Sequence, residues 1–551
     1  MNELHKSKPF VWGLLIAFAI AWLYVLGIRV LLPPDEGRYA EMAREMLASN
    51  DWVTTRLNGI KYFEKPPLQT WMNALSFAAF GLGEWQARLW TGLCALASVV
   101  LTGYAGRKVF NERVGFYAAL VLASCLYWVV GGQFDSLDMS LSGMMTISLC
   151  ALLVAQRDGA SAGEQRNWML VCWAGMAAAV LTKGPVGMIL PGAVLVLYTV
   201  FTRDWALWGR LHLGKGLLLF FAIATPWFVL VGLKNPEQPH FFFIHENFER
   251  YLLKTHHREG PWYYFFVLLA IGIVPWLGVL GQSLLKACKR ENSRFRPRLM
   301  LLIWAVFIFA FFSKSNSKLP GYILPIFPAL ALLIAEYLET GPRGARVLAS
   351  VLMALTGVAL LAFVPFMPQL SHHTGEGELL KACQPWVIAA GFAALVGGGS
   401  ALLHARHLRR DLTVLSLALA GFISAELVFV GLEPYGQQRA ATALLAPIQA
   451  ELKPGTTIYS VGTYEQSLTF YLRRTVVLVN YTDEFSFGLT QQPELAIPTV
   501  AAFIDKWRSD AAAGVRDLAI VSSTVYLELK QKGVPMRVVA SDARRTVVAN
   551  Q

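Results

Sequence analysis

Apolar runs long enough to cross a bilayer recur from Phe10 to Val430, and nothing else in the chain constrains its fold as strongly. About 20 apolar residues in a helix span the hydrocarbon core. In lipid, only helices or closed barrels satisfy their own backbone hydrogen bonds. About thirteen such runs are present, at residues 10–32, 87–106, 114–131, 136–155, 167–183, 185–201, 215–233, 262–285, 299–313, 319–338, 347–369, 386–404 and 412–432. The first follows a basic flank, MNELHKSKPF, but is too long for a signal peptide and ends at Pro33-Pro34 rather than at a small-residue cleavage site. Only 15% of the 551 residues are charged and 55% are hydrophobic, whereas a soluble chain carries about a quarter charged residues. The expected fold class is therefore a polytopic α-helical membrane protein.

The net charge of +12 does not imply nucleic acid, because the basic residues sit in short loops between apolar runs. Clusters such as Arg107-Lys108, Lys286 to Arg298 and Arg406 to Arg410 fall on one side, while the short loops of the other side hold only Lys183, Lys314, Lys318 and Lys381. This bias places the N-terminus in the cytoplasm. Two long loops, 33–86 and 234–261, then lie outside with everything after residue 432. Residues 1–432 form the membrane domain. Residues 433–551 alternate strand-like runs (TTIYSVG, TVVLVN, DLAIVSS) with helical ones, which implies an outer α/β domain covering or presenting the membrane site. It shows no catalytic constellation of its own. The six cysteines form no C-x-x-C pair, and no G-x-x-x-x-G-K loop is present, which argues against disulfides, a zinc ribbon and an ATP-driven transporter.

The first outer loop, PPDEGRYAEMAREMLASNDWVTTRLNGIKYFEKPP, carries the densest chemistry. Tyr39, Met42, Ala43, Met46 and Leu47 share one helical face opposite Arg38, Glu41, Arg44 and Glu45, a pattern suited to a membrane interface. Asp35 could act at a site or simply cap this helix; Glu64-Lys65 could be site residues or a solvated pair. The second loop, KNPEQPHFFFIHENFERYLLKTHHREGP, combines aromatics with His245, Arg250 and other cations, and suits an isoprenoid tail with a phosphate head. Asp138, one turn from Asp135, either marks a site or caps a helix. Lys318 and Tyr322 either meet a lipid phosphate or lie at a helix end where the lysine snorkels. Acids beside phosphate-binding cations suggest group transfer from a phosphate-linked lipid.

These segments, with LTKGP, HENFERY, HHREGPWYYF and SKLPGYILP, resemble the lipid A 4-amino-4-deoxy-L-arabinose transferases of glycosyltransferase family 83. That family has the GT-C fold and is related to protein O-mannosyltransferases. The resemblance covers most of residues 10–340; beyond them it is one of layout only. It implies thirteen transmembrane helices, a periplasmic C-terminal domain and an enzyme of the bacterial inner membrane. Aminoarabinose would pass from undecaprenyl phosphate to a lipid A phosphate, with inversion, and confer resistance to polymyxin and other cationic peptides. It further implies Asp35 and Asp138 as catalytic residues and Lys65, Arg250, Lys318 and Tyr322 as donor-phosphate contacts. Tyr39 and Tyr62 would line the cavity, and Glu64 and His245 would bind a divalent metal such as zinc. A monomer among membrane lipids, without nucleic acid, is expected. Another polyprenyl-phosphate sugar transferase acting on a protein hydroxyl or another glycan, or a non-enzymatic lipid transporter, are the competing readings.

Overall fold

The computed structural model describes residues 3–249, 260–371 and 376–551. Among these, nine helices are long and apolar enough to cross a membrane, from Lys8–Val25 to Arg410–Arg439. Two more spans are bent pairs: Glu112–Ser124 with Leu126–Gly132 turns by 66°, and Tyr264–Gly272 with Leu277–Ala287 by 110°. Helices Ala162–Lys183 and Val186–Thr202 occupy the two remaining expected positions, parted at Gly184 (φ +89°) and Pro185. The chain is a multi-pass membrane protein.

Residue type decides which helices sit at the centre. Lys8–Val25 is apolar all round and faces outward, exposing Trp12, Ile16 and Ile20. Leu137–Gln156 is almost wholly enclosed and carries Ser140, Ser142, Gly143, Thr146 and Ser148. Small residues let helices approach closely, since lipid tails give no hydrophobic drive to helix association. A Cβ on Gly143 would lie 2.8 Å from that of Cys94 on the neighbouring helix. The six cysteines are free.

The first long loop is a folded unit. Helix Asp35–Ser49 leads into a hairpin of strands β1 (Arg56–Leu57) and β2 (Ile60–Lys61), followed by helix Leu68–Phe80. Asn58 (φ +55°) and Gly59 (φ +76°) close the hairpin, the two positive φ angles that a two-residue primed turn requires.

Beyond Arg439 lies a six-stranded mixed sheet. Its strands are β3 (Ile458–Val461), β4 (Val477–Val479), β5 (Ala496–Ile497), β6 (Leu518–Ser522), β7 (Arg537–Ser541) and β8 (Arg545–Ala549), in the order β5-β4-β3-β6-β8-β7. Strands β5, β4, β3 and β6 run parallel, and β8 and β7 add antiparallel strands at one end. Central β3 is buried on both faces, as a covered parallel strand must be. One face packs on Phe503 and Trp507. The other shares a single apolar cluster with Tyr39, Met42, Leu57, Ile60 and Tyr62 of the first loop.

That shared core corrects the interfacial reading of helix Asp35–Ser49. Its apolar residues and also Glu36, Glu41 and Glu45 are buried. The polar face lies against protein. Helix Gln466–Leu472 of the C-terminal domain crosses it so closely that a Cβ on Gly37 would come within 2.5 Å of the Ser467 backbone nitrogen. Ser467 donates to the Leu31 carbonyl at 2.8 Å, and Tyr471 accepts from the Leu31 amide at 2.8 Å.

Candidate active site

Asp35 opens the buried helix directly after the Pro33-Pro34 turn. It does not cap the helix: Pro34 holds the cap position with no side-chain bond. The Asp35 carboxylate instead accepts from Arg38 Nη1 at 3.0 Å and keeps 45% of its side chain exposed. Arg38 in turn lies 2.6 Å from Glu484 of the C-terminal domain. Burial opposes the Arg38 charge, but Tyr62, Glu484 and Asp35 hold its pKa well above the usual value. The first loop and the C-terminal domain thus share one charge chain, Asp35–Arg38–Glu484. Arg38 and Glu484 were not among the expected site residues.

The next residue, Glu36, is wholly buried and serves a different end. It takes Arg88 Nε at 2.6 Å and Arg88 Nη2 at 2.9 Å, and accepts the amides of Asp135 and Leu32 at 2.9 Å each. Arg88 also donates to the carbonyls of Leu26, Arg29 and Val30. A buried ion pair survives desolvation only with such added hydrogen bonds. Asp135 sits beneath it, bonded by Gln69 (2.7 Å) and Asn73 (2.8 Å). Burial and then the Glu36 charge push its carboxyl well above the ordinary range.

Asp138 does not cap its helix either; Ser136 does so by accepting the Met139 amide. Asp138 pairs with Lys183, whose ammonium lies 4.7 Å above the Tyr322 ring. A Cβ on Gly321 would collide with the Asp138 carboxylate. The SKLPGYILP segment therefore closes over this pair, with Tyr322 in place and Lys318 Nζ on the Ser315 carbonyl at 3.1 Å. Lys183 is a residue that sequence reasoning missed, although it lies in LTKGP and breaks the charge bias.

Tyr39 ties the parts together. Burial comes first in holding its phenol well above the ordinary value, then the charges of Asp35, Glu64 and Asp138. Tyr62, also buried, feels Arg38, Glu64 and Glu484. Three carboxylates from separate segments thus act on one buried hydroxyl.

The two long loops are joined. Lys65 Nζ donates to the Glu64 carbonyl at 2.6 Å and to Glu246 at 3.2 Å. Lys61 meets Glu237 at 2.6 Å, and Asn235 donates to Thr54 at 3.0 Å. His245, half exposed, stacks on Phe241 and lies 3.7 Å from Glu246. Phe241 stacks at 3.9 Å on Phe487 of the C-terminal domain, and Phe242 is buried, so these two rings pack on protein while Phe243 is left exposed. Arg250 lies outside the described residues.

The expected metal ligands do not form a sufficient donor set by themselves. Zinc takes three or four protein ligands. Among the described residues no group of three or more His, Cys, Asp or Glu side chains could hold a metal ion.

The geometry matches known proteins along its length. Residues 10–242 match the family model of dolichyl-phosphate-mannose-protein mannosyltransferase, and residues 444–550 that of the aminoarabinose transferase C-terminal domain. The resemblance therefore extends into the C-terminal third, where the sequence alone suggests layout only. The undecaprenyl phosphate-α-4-amino-4-deoxy-L-arabinose arabinosyl transferase of Erwinia tasmaniensis is 30% identical, over 76% of this chain and 77% of its own. That of Edwardsiella ictaluri is 29% identical over 87% of both. The crystal structure of ArnT from Cupriavidus metallidurans bound to undecaprenyl phosphate superposes with a TM-score of 0.93, at 39% identity over 99% of both chains. A multi-pass helical domain and a docked α/β domain joined through Asp35, Arg38 and Glu484 accompany these likenesses, and the chain belongs to the undecaprenyl phosphate-aminoarabinose arabinosyl transferase family.

Proposed function

We propose that the chain is a glycosyltransferase that moves 4-amino-4-deoxy-L-arabinose from undecaprenyl phosphate to a phosphate group of lipid A. The end-to-end likeness to an ArnT that binds undecaprenyl phosphate carries this reading. The lysine and arginine bias supports a cytoplasmic N-terminus and a periplasmic site in the bacterial inner membrane. One chain supplies every residue invoked, so a monomer suffices.

In the proposed step a lipid A phosphate oxygen attacks the anomeric carbon with inversion. The bond from that carbon to the donor phosphate breaks, and the phosphate leaves with the electron pair. A phosphate monoester is largely ionised at neutral pH, its second pKa being about 6, so the nucleophile needs no general base. The demand falls on cations where the leaving phosphate gains charge. Lys65, held between the Glu64 carbonyl and Glu246, meets that demand. Lys318, Tyr322 and Arg250 are proposed to assist, and Lys183 is positioned beside Tyr322 by Asp138. Asp35 lies near Tyr39, where a half-exposed carboxylate can pair with the sugar ammonium and stabilise positive charge at the anomeric carbon.

Expression in cells lacking their own transferase but making the donor tests the reaction. Mass spectrometry of lipid A is expected to show an added aminopentose. Unmodified lipid A despite good membrane expression would overturn the acceptor or the sugar.

We further propose a divalent ion at Glu64 and His245. When bound it would add positive charge beside the donor phosphate. Elemental analysis of the purified protein is expected to find about one ion per chain, lost in His245→Ala. Active protein purified without metal would refute it.

A further inference from the structure

At the far end of helix Asp35–Ser49 lies a cleft of about 600 Å3 that the reaction proposed above does not use. Arg44 and Glu45 line it from the helix, Arg56 from β1, and Arg473 and Arg474 from the turn before β4. Helix rise puts Glu45 about 15 Å from Asp35, so this is a separate place. Four arginines thus line one space contributed by three segments.

The cleft's own contacts leave donors spare. Arg44 forks onto Glu41 at 2.6 and 2.7 Å, and Arg56 gives one bond to the Gly59 carbonyl at 3.2 Å. Arg473 is exposed on a left-handed residue (φ +55°) that ends helix Gln466–Leu472, and Arg474 reaches the Thr456 carbonyl at 3.4 Å. Glu45 completes the set. One of its oxygens accepts the Gly59 amide at 2.8 Å, while the other is buried with no partner. Burial first and then Glu41 push this carboxyl up to about 8. The Glu41 pair accounts for Arg44 but not for Arg473 and Arg474, which another domain brings. A phosphate offers several acceptor oxygens to such an array.

We propose that this cleft is a second anion site that holds a phosphate monoester. A second phosphate of the acceptor, a source that rests on the acceptor proposed above, and free phosphate offer the same chemistry.

The experiment uses the full-length protein in detergent and the variant Arg473→Gln/Arg474→Gln, both exposed positions, with thermal melting as the folding control. Inorganic phosphate is titrated by calorimetry into the variant and into Lys65→Ala, which keeps the cleft. Binding is expected to persist in Lys65→Ala and to drop at least about tenfold in the double arginine variant. KM is then measured for lipid A bearing two phosphates and one. A rise of about tenfold for the bisphosphorylated acceptor alone, with kcat unmoved, identifies the acceptor as the source. Lost phosphate binding with unmoved KM identifies free phosphate. Unchanged phosphate binding in the double arginine variant overturns the site. The titration reads the cleft even if the chain transfers no sugar to lipid A.

Discussion

Asp35→Asn is expected to lower sugar transfer by about 10²–10³-fold, nearly as far as Asp35→Ala, because the residue acts through its charge. Asparagine keeps the size of the side chain and an oxygen to accept from Arg38 at 3.0 Å. It removes the negative charge set beside Tyr39 and Arg38. If Asp35 merely positioned a partner by hydrogen bonding, asparagine would keep most of the rate. A steady-state assay with donor and lipid A separates the two. An Asp35→Asn enzyme of near-normal kcat, beside a dead Asp35→Ala, would sink the electrostatic role. Both variants should melt like the parent, since the carboxylate is 45% exposed and its ion pair contributes little stability there.

Arg88→Met is expected to cost about 3–5 kcal/mol of stability, because it strands Glu36 as an unpaired buried charge. It also leaves the Leu26, Arg29 and Val30 carbonyls without their donor. Those carbonyls lie on the stretch that links the first span to Asp35, so activity is expected to fall with stability. Glu36→Gln/Arg88→Met removes both charges and should be less destabilised than the sum of the single changes. Denaturation of the detergent-solubilised variants reads this. A single Arg88→Met variant as stable as the parent would show that the network does not hold the entry to the site.

How much of this was legible depends on the kind of interaction. The spans could be read because each is a local property of about twenty residues. Asp35, Glu64, Tyr39, Tyr62 and Asp138 could be named because the first loop and the fourth span concentrate them in recognisable segments. Arg88 carried a readable signal that was not used: an arginine inside an apolar run is expensive and has a buried partner or a function. Lys183 carried another, as one of the few cations in the short loops that oppose the charge bias. Glu484 carried none, since it sits in an ordinary polar stretch, YTDEFSFG. The amphipathic pattern of helix Asp35–Ser49 misled for a physical reason. An apolar stripe reports that a face is covered and does not report whether lipid or protein covers it. Its polar face was equally ambiguous, because Glu36 finds Arg88 on another helix and Arg38 finds Glu484 on another domain.

The sequence by itself determined the membrane-spanning class, the two long charged loops and the C-terminal α/β domain, because hydropathy and strand pattern act over short stretches. Only the tertiary structure decided which charge meets which. Glu36 and Arg88 are 52 residues apart, Asp138 and Lys183 are 45 apart, and Leu31 meets Ser467 across 436. Pairing over such separations depends on where the packed helices and the docked sheet bring each segment, and no local pattern encodes that.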